Sequence, residues 1–255
     1  MSEYRANDVE PQLVFVGGMH RSGTSLISRG IGVLGVSLGP RVADEPMHDN
    51  MKGHWEDLDV VSINNRVLDC LDLKWHSVIL PNGEVFNRAP LAALRDEATR
   101  LIEGRIVESG SWSFKDPRIM RVLPFWTDVF RRVGIVPHLV AVVRTPESVA
   151  GSLAVRNGFQ HVKSHLMWLA HCFPLADALQ EFPYSLIDYD RFLESPRSEF
   201  ARLAQDLGRA PTGEAVDRFL REFLDPRLRH SVRQRAIEQR SGSAGLSLAL
   251  YVVLL

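Results

Sequence analysis

The sequence predicts a three-layer α/β fold with a mainly parallel central sheet flanked by helices, and three observations carry that prediction. Short continuous apolar runs, Leu13–Gly17, His138–Val143 and Tyr184–Ile187, suit strands buried on both faces, as in parallel sheets. Segments with apolar residues at helical spacing alternate with those runs. A glycine-containing turn joins the first run directly to the first helical segment.

Each element follows from its own residues. After the first run, Leu26, Ile27, Ile31 and Leu34 place one apolar face on a helix over Thr24–Leu34, and Gly35 is a plausible stop. The stretch Gly39–Gly53 mixes Pro, Asp, Asn and His and reads as a long loop, a feature often tied to function. Helical periodicity covers Leu58–Leu71 and Ala89–Ser109. In Trp112–Arg118, Pro117 argues for a strand or loop edge, and a helix over Leu123–Arg132 follows. The run His138–Val143 ends at Arg144. Thr145 and Pro146 then form a cap and first-turn pair that starts a helix. Further helical segments lie around Ala201–Leu207 and Val216–Leu224. No repeat, low-complexity tract or linker interrupts the chain, so residues 1–255 read as one domain.

Composition narrows the function. With 45% hydrophobic and 24% charged residues over 255 positions, the chain is an ordinary globular protein with one substantial core. A formal net charge of -1 gives no global field towards nucleic acid or membrane, so a bound anion must be held by local groups. Cys70 and Cys172 form neither a disulfide framework nor a metal-spacing motif, which suggests a reduced, cytoplasmic setting. The polar stretch Met1–Pro11 lacks an apolar signal core, and no apolar run approaches the ~18 residues of a spanning helix. The apolar end, Leu246–Leu255, is expected to be a buried terminal strand or the cut end of a longer chain rather than a membrane anchor.

The most informative segment is Gly18-Met19-His20-Arg21-Ser22-Gly23-Thr24-Ser25. Between a strand and a helix, backbone N–H groups and the helix dipole make an anion site, and the two glycines let the backbone approach phosphate oxygens. The spacing is that of a Walker A loop, but Thr24 stands at the lysine position and the positive charge has moved to Arg21. Nucleoside triphosphate enzymes use that lysine on the β- and γ-phosphates and the next hydroxyl on Mg²⁺. The substitution therefore argues against ATP with a metal, and for a single 5'-phosphate with Arg21 beside its bridging oxygen.

The stretch Phe15 to Ser25 resembles the 5'-phosphosulfate loop of the sulfotransferases that use 3'-phosphoadenosine 5'-phosphosulfate (PAPS), in the variant with Arg at the position of Arg21. The resemblance implies a P-loop-type fold, PAPS as donor, PAP (3'-phosphoadenosine 5'-phosphate) as product and no metal. It implies a 5'-site made of Gly18, His20, Arg21, Ser22, Gly23, Thr24 and Ser25, with no separate role read for the His20 ring. The family's second signature is an Arg at a strand end with a Ser eight positions on, holding the 3'-phosphate. Arg144 and Ser152 stand at that offset, since 152 − 144 = 8. Ser148, Ser152 and Arg156 share one helical face, and an arginine fork suits phosphate oxygens. The resemblance spans roughly Leu13–Leu207, leaving the segment 228–255 unassigned.

Sulfuryl transfer needs positioning, charge stabilisation and a base on the acceptor side. Lys52-Gly53-His54-Trp55-Glu56 resembles the Gly-x-Trp-Glu pattern of bacterial members, which implies Glu56 as base with His54 as its rival. Lys115-Asp116-Pro117-Arg118 resembles a Lys-x-Pro of carbohydrate-modifying branches. By that likeness Lys115 balances charge on the sulfonate or leaving group, while Arg118 binds an acidic acceptor or pairs with Asp116. Asp188-Tyr189-Asp190 is similar to a family segment near the nucleotide, without a role assigned. Trp55, Trp75 and Trp112 are candidates for an acceptor pocket or for the core, and His161 and His165 have a helical spacing that can bind metal but lack a third ligand nearby. The acceptor expected is a small molecule or glycan bearing a hydroxyl or amine, such as a carbohydrate, a lipid-linked molecule or a secondary metabolite. A P-loop kinase or NTPase, and a PAP-binding module without catalysis, are the alternatives.

Overall fold

A computed structural model describes residues 11–47, 50–224 and 242–255. Part of the N-terminal polar stretch, and part of the unassigned segment after residue 228, lie outside the described residues. Four strands, β1 (Gln12–Gly18), β2 (Ser111–Lys115), β3 (His138–Val143) and β4 (Tyr184–Asp188), form one sheet in the order β2-β1-β3-β4. All neighbours are parallel, with Phe15 opposite Phe114 and Val16 opposite Val140. The edge of β2 is partly covered, because Ser37 bonds with the backbone of Ser111 and Ser113.

The helices around the sheet are α1 (Thr24–Val33), α2 (Leu58–Cys70), α3 (Pro90–Ser109), α4 (Leu123–Val133), α5 (Pro146–Asn157), α6 (His161–Glu181), α7 (Tyr189–Glu194), α8 (Pro196–Asp206), α9 (Gly213–Phe223) and α10 (Gly242–Leu254). Strand alternation sorts them into two layers. Leu13, Phe15, Leu139 and Ala141 face α2 to α6 and α10, where Phe114, Trp126 and Phe130 pack as a ring cluster. Val14, Val16, Val140 and Val142 face the other way, onto Ile27 and Ile31 of α1, Phe200 of α8 and Phe219 of α9. The predicted three-layer α/β architecture is the one observed.

Two expectations need correction, and one helix went unforeseen. The apolar C-terminal stretch is a helix, not a strand: α10 packs on α5 and α6, with Tyr251 and Leu254 buried in the larger core. Ser247 within it accepts no ladder bond but meets His165 Nδ1 at 2.8 Å. Helix α6, 21 residues long, was not anticipated, since it is buried on several sides and carries Pro174 in its interior. Thr145 precedes α5 as expected, yet its hydroxyl does not cap the helix backbone; it donates to Ser148 Oγ at 2.7 Å. No helix among the described residues is long and apolar enough to cross a membrane. Cys70 and Cys172 are both free thiols.

The topology sets the site. The carboxyl ends of β1, β2, β3 and β4 all lie on one edge of the sheet, the usual place for a ligand crevice in open α/β folds. The residues that leave those ends are Gly18 and its loop, Lys115, Arg144 and Asp188.

Candidate functional site

The loop after β1 is shaped by two close approaches. A Cβ on Gly18 would lie 2.4 Å from the carbonyl oxygen of Val142, and one on Gly23 would lie 2.0 Å from the Tyr189 ring. Gly23 is also left-handed, with φ 90°, and serves as the N-cap of α1. Lacking a side chain, it leaves the first-turn N–H groups of the helix without a side-chain cap, which is the condition for an anion site. Arg21 adopts φ 68°, a conformation that costs a non-glycine residue about 1–3 kcal/mol and that clusters at functional sites. Ser22 Oγ is buried and has no hydrogen-bond partner among the described residues.

The two predicted anion anchors meet. Arg21 Nε donates to Ser152 Oγ at 2.8 Å, although 131 positions separate them. Arg144 donates through Nη1 to the Arg21 carbonyl at 3.2 Å. Its guanidinium lies 4.9 Å from the Tyr189 ring centroid, and its Nε is 3.9 Å from Asp190. Trp168 Nε1 donates to the Arg144 carbonyl at 3.1 Å, fixing the turn after β3. Sequence reasoning flagged Asp188-Tyr189-Asp190 without a role; the structure makes Asp188 the cap of α7, through the N–H of Asp190 and Arg191, and so holds Tyr189 under Gly23 and Arg144. Burial pushes the Asp190 carboxyl up, against the pull of Arg144.

The second cluster joins residues 59 positions apart. Lys115 Nζ reaches Glu56 Oε1 at 2.8 Å, the His54 carbonyl at 3.1 Å and Ser25 Oγ at 3.4 Å. Arg118 Nη1 is 2.7 Å from Asp116 Oδ1 and 3.5 Å from Glu56 Oε2. Asn64 donates to the second Asp116 oxygen at 2.8 Å and accepts from Trp126 Nε1 at 2.7 Å, so the network is anchored in the core. Burial alone would raise the Glu56 carboxyl, but Lys115 and then Arg118 outweigh it and hold the group below the usual range. Asp116 moves the other way, because its burial dominates over Arg118. The Lys115 and Glu56 side chains are only 2% and 11% exposed, a degree of burial at which removing one partner of an ion pair costs about 3–5 kcal/mol.

The strand of chain that carries Glu56 is pinned to the phosphate loop side. Asn50 Nδ2 contacts Ser25 Oγ at 3.4 Å, and Ser28 Oγ donates to the Trp55 carbonyl at 3.0 Å. Gly53, φ 78°, and Trp55, φ 56°, make the sharp turn between them. His54 thus contributes its carbonyl to Lys115. Of the three tryptophans considered, Trp112 is core, Trp55 packs on Arg29 and Phe223, and Trp75 lies 4.7 Å from the His20 ring. His165 is committed to Ser247. Among the described residues no group of three or more His, Cys, Asp or Glu could hold a metal ion.

No family model matches the chain, and no curated protein matches it either. Solved structures do. A sulfotransferase domain from a Synechococcus olefin synthase aligns over 97% of this chain and 90% of its own, with TM-score 0.52 and 13% identity. A sulfotransferase from Mycobacterium avium aligns over 96% and 76%, with TM-score 0.52 and 14% identity. A sulfotransferase domain from the curacin biosynthetic pathway aligns over 93% and 83%, with TM-score 0.51 and 14% identity. At such identities the likeness is one of fold, and the chain shares the α/β fold of these enzymes.

Proposed function

We propose that this protein is a sulfotransferase that takes a sulfuryl group from PAPS and passes it to an acceptor. The observation that carries the reading is the junction of Arg21, Ser152 and Arg144 at the head of α1, where an uncapped helix start meets two arginines and a hydroxyl. The residues fit the nucleotide. Ser22 Oγ is buried without a partner among the described residues, and Arg144 rests on the Tyr189 face, which packs against Gly23. The loop from Gly18 to Ser25, His20 included through its backbone, would hold the 5'-phosphate, and Arg144 with Ser152 the 3'-phosphate.

Bound there, PAPS supplies an activated sulfur whose bond to the 5'-phosphate oxygen breaks as the acceptor oxygen bonds to it. Glu56 would take the acceptor proton, a role supported by a carboxylate that Lys115 and Arg118 keep ionised. Arg21 and Lys115 bring positive charge to the loop, where negative charge develops on the leaving phosphate. The position of Lys115 also supports a metal-free reaction. Ser25 stands where a Walker loop's hydroxyl would hold Mg²⁺, and here that hydroxyl faces an ammonium at 3.4 Å. Neighbours of the same fold carry the name sulfotransferase, which supports the reading further.

Arg144→Ala tests it. PAP affinity should fall roughly 10- to 100-fold, the loss of a charge-assisted contact, while adenosine 5'-phosphate affinity changes little. Equal weakening of both ligands by calorimetry would show that Arg144 does not read the 3'-phosphate.

A further inference from the structure

The His20 side chain leaves the phosphate loop for a different neighbourhood from that of Arg21. Its ring lies 4.7 Å from Trp75 and 5.8 Å from His171, while Arg21 reaches Ser152. His20 Nε2 is buried and meets no hydrogen-bond partner among the described residues. The neighbouring His171 donates Nδ1–H to the Met167 carbonyl at 2.7 Å, and its Nε2 is likewise buried without a partner among the described residues, so two unpartnered imidazole nitrogens belong to neighbouring rings. A buried polar nitrogen left unmade is costly, and such groups in native proteins call for an explanation, a ligand being one.

The charge around His20 narrows that ligand. Burial first, then His171, Arg118, Lys115 and Arg156, keep the imidazole neutral, so in its Nδ1-protonated form Nε2 offers a lone pair and takes an O–H. The same three cations oppose an ammonium. Outward from His20 the surface is aromatic: Trp75 lies 5.9 Å from Phe159, and His76 lies 5.7 Å from it. Beside His76 a shallow groove is lined by Ser77, Val78, Gln160, Val162, Lys163 and Leu166, with Lys163 adding a further cation over Phe159.

The geometry points to His20 as the residue that recognises the acceptor: Nε2 accepts the hydroxyl of an alcohol whose apolar ring or chain lies along Trp75, and a protonated amine is refused. This inference rests on the sulfotransferase reading above. It assigns His20 a binding contact, distinct from the proton removal given to Glu56.

The test uses the full chain at neutral pH, radiolabelled PAPS, and benzyl alcohol against benzylamine as matched probes. The wild type should label the alcohol and not the amine. His20→Ala should lower kcat/KM for the alcohol roughly 10- to 100-fold, mainly through KM, with stabilisation by PAP retained. His20→Gln, whose amide oxygen can also accept, should restore most of the loss. Labelling of the amine, labelling of neither probe while PAP still binds, an Ala variant as active as wild type, or a Gln variant as poor as Ala each overturns the inference. Failure of PAP to stabilise the wild type would instead overturn the sulfotransferase reading. Should His20→Ala not fold, the histidine nitrogen resonances of the wild-type PAP complex give a second measure. Benzyl alcohol should shift the His20 Nε2 signal, and an unmoved signal overturns the assignment.

Discussion

Glu56 sits between two cations, and that position decides how it can act. With Lys115 at 2.8 Å and Arg118 at 3.5 Å the carboxylate is stable but a weak base, and on the proposed reading it becomes reactive once Lys115 turns towards the donor. Glu56→Gln keeps the shape and removes the charge. The transfer rate should fall by about 10²–10⁴-fold, the usual contribution of a general base, while PAP should stabilise the variant as it does the wild type. A single-turnover assay with radiolabelled PAPS checks this, and a rate near wild type would remove Glu56 from the chemistry. At this scale the sequence named candidate residues but not their partners. Gly18 and Arg21 stood out through the Walker-like spacing, and Arg144 and Ser152 through the resemblance to the sulfotransferase family. The contact of Arg21 with Ser152, the Glu56–Lys115 pair and the burial of His20 against Trp75 join residues far apart in the chain, and no periodicity encodes such meetings.

Among the elements, α10 ties the C-terminal segment to the site. Tyr251, 6% exposed, donates to Asp188 Oδ2 at 3.2 Å, while Asp188 Oδ1 caps α7 and so supports Tyr189 and Asp190. Tyr251→Phe leaves that carboxylate oxygen without its buried donor. Urea unfolding should show a loss of about 1–3 kcal/mol, and an unchanged midpoint would mean that α10 does not brace the site. The fold was legible where a short apolar run ended at turn or cap residues or apolar positions kept a helical period: β1, β3, β4, α1, α2 and α4 lie within a few residues of their predicted ranges. It was illegible where burial is nearly all round. A stretch such as Leu246–Leu255 is apolar on every side and has the same pattern as a buried strand or a buried helix. Pro174 hid α6 in the same way, by standing where a helix interior normally excludes it.

For the molecule as a whole, a parallel sheet gathers four strand ends on one edge, and the near-neutral net charge leaves the field there to a few local cations. On the proposed reading that arrangement suits one anionic ligand held by local contacts rather than a polyanion held broadly. The alternation of strands and helices foretold the sheet; the nucleotide proposed for it rests on Thr24 in place of a Walker lysine and on Arg144 beside Arg21. Thermal unfolding with PAP, compared with ATP and Mg²⁺, tests that claim most directly. At about 100 times its dissociation constant PAP should add ~2.7 kcal/mol and raise Tm by roughly 5–10 °C, with ATP and Mg²⁺ leaving it unchanged. A rise with ATP and Mg²⁺ equal to that with PAP, or no rise with PAP, would contradict the account.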